Sequence, residues 1–187
     1  MKRLFIHIKD KTTDFLEDIY NDLQHTTIVR TELPPYIMNS LIKTHDQVIM
    51  MGHGSPNGLF GDEGQFIIGE HNVDALQEHS ECVYIWCHAS DFVKRHKLKG
   101  FSTGMFISEV PEARIVLNSN KSSTVTEHNV FESNKMFTTL VKIWAQGRGD
   151  VDELYDSVVQ EYTSKDTIWS EGFKHVVDYN AERIGIF

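Results

Sequence analysis

Apolar positions along this chain fall into short runs separated by helix-like stripes, and the alternation of the two is its main structural signal. Residues 3–8 (RLFIHI) read as a strand. Residues 13–23 follow with Phe15, Leu16, Ile19, Tyr20 and Leu23 on one helical face, and Thr12 or Thr13 is placed to cap that helix. Residues 26–30 (TTIVR) make a second strand, Pro34-Pro35 breaks the chain, and residues 36–43 resume a short helix. The runs at 47–51 (QVIMM) and 82–86 (CVYIW) are apolar without alternation, which suits strands covered on both faces of a parallel sheet.

Between those two runs, the Gly-rich stretch 52–58 reads as a loop, 61–64 (GDEG) as the turn of a small hairpin, and 73–79 as one or two helical turns. Beyond them, 91–96 and 104–109 look like helix starts and 114–117 (RIVL) like a further strand. Residues 134–146 form an amphipathic helix stopped by Gly147, and 151–162 a second one capped by Asp150. Residues 173–187 carry no clear pattern. This β-α alternation predicts a single α/β domain over residues 1–187, a three-layer α-β-α sandwich with a mainly parallel sheet.

Composition narrows the function classes. Hydrophobic residues make up 40% of the 187 positions, enough for a core without disulfides. The only cysteines, Cys82 and Cys87, have opposite parity in one strand, so they point to opposite faces and remain free thiols, as in a reducing compartment. Residues 1–11 lack the features of a signal peptide and no run approaches a membrane span. The expectation is a cytoplasmic protein with no membrane partner. A net charge of −9 and the lack of a basic patch interleaved with aromatics argue against nucleic acid as a partner.

The candidate chemistry lies where strands end, because open parallel sheets gather reactive groups at the carboxyl ends of their strands. QVIMM runs into Gly52-His53-Gly54, and CVYIW runs into Cys87-His88. If the two strands are parallel neighbours, an imidazole and a thiol emerge from the same edge, 34 positions apart (53 to 87). A thiolate is a nucleophile, and a nearby His can take its proton and return it to a leaving amine. The backbone N–H groups of Gly54 and Cys87 are placed to hold a developing oxyanion. Zinc is the weaker alternative for His53, Cys87 and His88, since adjacent side chains on an extended chain diverge. No metal or cofactor is expected.

An apolar strand ending in His-Gly, followed by one ending in Cys, resembles the caspase-like (clan CD) superfamily of cysteine peptidases, which includes caspases, metacaspases, gingipains, clostripain, legumain and separase. GHGS at 52–55 is similar to the separase-type and CHAT-type form of the His motif, and GFSTGMFISE at 100–109 falls where those families place a helix. The resemblance covers roughly 48–117. It implies a caspase-like fold, a peptide or protein substrate and a His53–Cys87 catalytic dyad. It places the substrate pocket near Lys9, Asp10 or Lys11, near Asp91 and near 118–120, starting at Asn118. Asp10 and Asp91 would favour cleavage after Arg or Lys. The chain departs from the pattern at Trp86 and His88, where the family commonly has small residues, and lacks the caspase pentapeptide around the Cys. A bulky Trp86 is expected to fill part of the site. The alternative is a catalytically inactive, caspase-like binding protein.

Overall fold

The computed structural model describes residues 1–8, 10–147, 149–164 and 168–187. Its main sheet starts with β1 (Arg3–His7), β2 (Thr26–Val29) and, after helix α1 (Pro35–Thr44), β3 (Gln47–Met51). A small antiparallel sheet of β4 (Gly54–Ser55), β5 (Gly58–Phe60) and β6 (Phe66–Ile68) follows, built around the expected turn at 61–64. Helix α2 (Val73–Gln77) leads to β7 (Cys82–Ile85), and α3 (Ala89–His96) to β8 (Phe101–Thr103). Helices α4 (Val110–Val116), α5 (Ser119–Ser122), α6 (Glu127–Gln146), α7 (Val151–Tyr162) and α8 (Glu171–Ala181) precede the last strand, β9 (Ile184–Ile186).

Among the described residues the main sheet has six strands in the order β2-β1-β3-β7-β8-β9, parallel except for β9 against β8. Each central strand sends alternate side chains to two cores, as the two-residue period of a strand requires. Leu4, Ile6, Val48, Met50, Cys82, Tyr84 and Trp86 pack with Met38 and Ile42 of α1 and Phe92 of α3. Phe5, Ile49, Met51, Val83 and Ile85 pack on the other face with α6, α7 and α8. The result is a mixed, mostly parallel sheet between two helical layers, an α/β sandwich. Cys82 and Cys87 are both free thiols, as their parity implied. Among the described residues no helix is long and apolar enough to cross a membrane.

Several elements differ from expectation. Residues 114–117 are not a strand: Arg114 to Val116 belong to α4, which begins with a Glu109–Glu112 capping box and Pro111 in its first turn. A four-residue apolar run does not distinguish strand from helix, and the cap decides it. The missing strand is instead β8, just before 104–109, and the helix expected to start at 104–109 begins only at Val110. The stripe at 13–23 forms only a 3-10 helix, Asp14–Ile19, without a side-chain cap from Thr13. Both candidate caps are occupied elsewhere: the Thr12 hydroxyl bonds Asp10 Oδ1 and lies 2.7 Å from His53 Nε2, and the Thr13 hydroxyl bonds the Asp10 carbonyl. Helix α6 starts earlier than residue 134, at a Thr126–Asn129 capping box.

Candidate active site

β3 and β7 pair in parallel with Met51 opposite Ile85, and the Gly52 N–H continues the ladder to the Ile85 carbonyl. His53 and Cys87 each lie two residues past that last pair, so both leave the sheet at the same level. Gly52, at φ 139°, provides the turn that a side chain would resist. Past Ile85 the chain bends sharply. His88 is in the left-handed region (φ 64°, ψ 23°), the Ala89 N–H bonds the Trp86 carbonyl, and α3 begins. A non-glycine residue held there is strained, and such strain collects at functional positions. Thr103 on β8 donates to the Tyr84 and Trp86 carbonyls (3.5 and 3.3 Å) and secures the end of β7. Among the described residues no backbone carbonyl accepts from the Cys87 or His88 N–H.

The two side chains line one small cleft, with a cavity volume of about 60 Å³. Its wall is largely apolar, with Phe15, Leu16, Phe106 and Phe137, and Glu112, Ser108 and Asn134 supply its polar groups. Burial, with the nearby Glu112 carboxylate second, pushes the Cys87 thiol up to about 11. Cys82, fully buried, is raised to about 12 by the same desolvation. Burial thus favours the protonated thiol at both positions at neutral pH. Among the described residues no hydrogen bond joins His53 to Cys87; His53 Nε2 instead faces the Thr12 hydroxyl at 2.7 Å and Asp10 Oδ1 at 3.4 Å. Two hydrogen bonds from Thr12, hydroxyl and amide, hold the Asp10 carboxyl down to about 2, with a smaller pull from His53.

Trp86 borders the cleft but packs its ring into the core on the opposite face of the sheet. It is 3% exposed, packs edge-on to Tyr84 and against Phe92, and donates its indole N–H to the Ser55 carbonyl (3.1 Å). Its ring lies against Gly54, where a methyl group would overlap both the indole and the Gly58 carbonyl. The glycine is thus required by packing, whatever its N–H does, and the indole ties the small sheet to β7.

The residues expected to select substrate scatter. Asp10 sits beside His53 and does not line the cleft. Asp91 lies in the first turn of α3, 3.2 Å from His88 Nδ1, with both side chains about half exposed and neither lining the cleft. Asn118 caps α5 by accepting from the Lys121 N–H. Lys9 lies outside the described residues. The carboxylate in the cleft is Glu112, which sequence reasoning missed. Its Oε2 accepts from Ser108 N, Ser108 Oγ and Glu109 N (2.7, 2.9 and 3.0 Å), and among the described residues no hydrogen bond engages Oε1. The only sequence sign was the Glu-x-x-Glu cap around Pro111.

The loop carrying these groups is pinned by Asn180 on α8, which is 1% exposed. Its side chain accepts from Ile107 N (2.7 Å) and donates to Ile107 O (3.2 Å). Asn180→Ala would leave both backbone groups buried and unpaired, at about 2–3 kcal/mol by chemical denaturation. An unchanged midpoint would show that the loop is held by packing alone. Among the described residues no three His, Cys, Asp or Glu side chains gather closely enough to hold a metal ion. Comparisons with protein-family models, curated proteins and solved structures gave no match to the chain.

Proposed function

We propose that this protein is a cysteine endopeptidase of the caspase-like kind, with Cys87 as nucleophile and His53 as general base and acid. What carries the reading is that parallel strands in register deliver the imidazole and the thiol to one cleft. In the resting protein Cys87 is a thiol, so its proton passes to His53 as the sulfur attacks the scissile carbonyl. The Cys87 N–H, at the bend before α3, is a donor for the oxyanion; Gly54, expected as the second donor, packs against the Trp86 indole and does not line the cleft. His53 then protonates the leaving amine, and water hydrolyses the thioester.

The cleft also suggests which bond is cut. Glu112 offers a half-buried carboxylate oxygen in the same cleft as the nucleophile, and a carboxylate there would favour a basic residue before the cut. Glu112 takes the role first assigned to Asp91. Fluorogenic peptides differing only in that residue test the preference. Arg and Lys peptides should be cleaved and the Asp peptide not, and Glu112→Gln should lower kcat/KM for the Arg peptide about 100-fold. Cleavage after Asp but not Arg would reject the preference.

A second reading, a catalytically silent binding protein of the same architecture, draws on the raised thiol and the lack of a His53–Cys87 hydrogen bond. Alkylation by iodoacetamide separates the two. In the peptidase, Cys87 is modified faster than Cys82 at neutral pH, and His53→Ala slows it. The rate climbs towards pH 11 as the thiolate forms. Equal, slow modification of both thiols would favour the silent protein.

A further inference from the structure

We propose that Asp10 and Thr12 form a positioning relay that fixes the His53 ring with its proton on Nε2, leaving Nδ1 as the basic nitrogen. The catalytic meaning of the relay rests on the peptidase reading; the tautomer itself does not.

The number of protons at Thr12 decides the tautomer. The Thr12 hydroxyl has one, and two neighbours compete for it: Asp10 Oδ1 at 2.5 Å and His53 Nε2 at 2.7 Å. An ionised carboxylate can only accept. Asp10 also accepts from the Thr12 N–H at 2.8 Å, and this pair of bonds keeps it ionised well below neutral pH. The Thr12 proton therefore goes to Asp10, the stronger, charged acceptor. The hydroxyl oxygen is left as an acceptor, so Nε2 must donate to it. The 3.4 Å approach of Asp10 Oδ1 to the same nitrogen agrees, because an unprotonated Nε2 would set its lone pair against the carboxylate. The reverse arrangement, with Thr12 donating to Nε2, would set two lone-pair-bearing oxygens against each other at 2.5 Å.

The loop that carries the relay is anchored from below. The Asp10 carbonyl accepts from Thr13 N (3.0 Å) and Thr13 Oγ (3.3 Å). The Thr13 hydroxyl lies 3.3 Å from Nε2 of His7, a fully buried residue at the end of β1, and His7 Nδ1 lies 2.9 Å from the Tyr20 hydroxyl. The relay thus spans the carboxyl ends of β1 and β3, where the strand order reverses (β2-β1-β3) and where such sheets place their sites. Asp10 and His53 side chains are 51% and 53% exposed, so the contact adds little to stability and its loss leaves a folded protein.

The test uses the full chain and two readouts. In the Cys87→Ala background, the His53 ring nitrogens are followed by ¹⁵N NMR. The neutral ring should carry its proton on Nε2, with a slowly exchanging N–H signal that Thr12→Val and Asp10→Asn abolish and Thr12→Ser preserves. In the Cys87 protein, Thr12→Val and Asp10→Asn should lower kcat about 10- to 100-fold with KM and melting temperature unchanged, and Thr12→Ser should restore it. A proton on Nδ1, or an Nε2–H signal and kcat indifferent to all three substitutions, overturns the relay while leaving peptidase activity standing. An Nε2–H signal with the expected mutant pattern in a protein that cleaves no peptide upholds the relay and removes the peptidase reading instead.

Discussion

Replacing Cys87 with alanine is expected to abolish peptide hydrolysis, a fall on the order of 10⁴-fold or more in kcat, with the melting temperature nearly unchanged. The thiol has no second candidate in the molecule. Cys82 is completely buried among the side chains of α1, α2 and α3, on the other face of the sheet. Removing one sulfur from a partly exposed position at a strand end leaves no large cavity, so folding is spared. His53→Ala should cost about 10²- to 10⁴-fold, the usual worth of a positioned acid-base group. Progress curves with a fluorogenic arginyl peptide measure both. Activity surviving in Cys87→Ala would move the nucleophile elsewhere.

The largest effect on stability is expected at Trp86. Trp86→Ala removes the ring that packs on Tyr84, Phe92 and Gly54 and leaves the Ser55 carbonyl without its indole donor. Truncating a buried tryptophan costs about 3–5 kcal/mol, read from the midpoint of urea unfolding. Trp86→Phe keeps most of the contact area and should lose about 1–2 kcal/mol, the share of the orphaned carbonyl and the smaller ring. The comparison also tests where the indole lies. If Trp86→Ala left stability intact and widened substrate acceptance, the ring would belong to the cleft and not to the core under β4 and β5.

Much of this architecture was readable in the sequence. β3 and β7 stood out because burial on both faces removes the polar alternation that marks a half-exposed strand, and their endings identified His53 and Cys87. What could not be read was decided by short segments in tertiary context. β8 is three residues long, two of them hydroxyl-bearing, and is a strand only because β7 and β9 flank it. The RIVL run reads as a strand by its apolar residues alone, and its capping box makes it a helix. Glu112 went unread, and Asp10 meets His53 where it was expected to face substrate, for a similar reason. No spacing along the chain reveals that α4 brings its first acid to the cleft that Cys87 lines, or that the loop after β1 folds back through Thr12 to reach His53.

The central claim is that His53 and Cys87 act on one bound peptide carbonyl. A peptidyl chloromethyl ketone ending in arginine tests it most directly, followed by mass spectrometry of the digested protein. A single adduct on Cys87 is expected, formed many times faster than with iodoacetamide and suppressed by His53→Ala. An adduct that forms equally well without His53, or one found on Cys82 instead of Cys87, would contradict it.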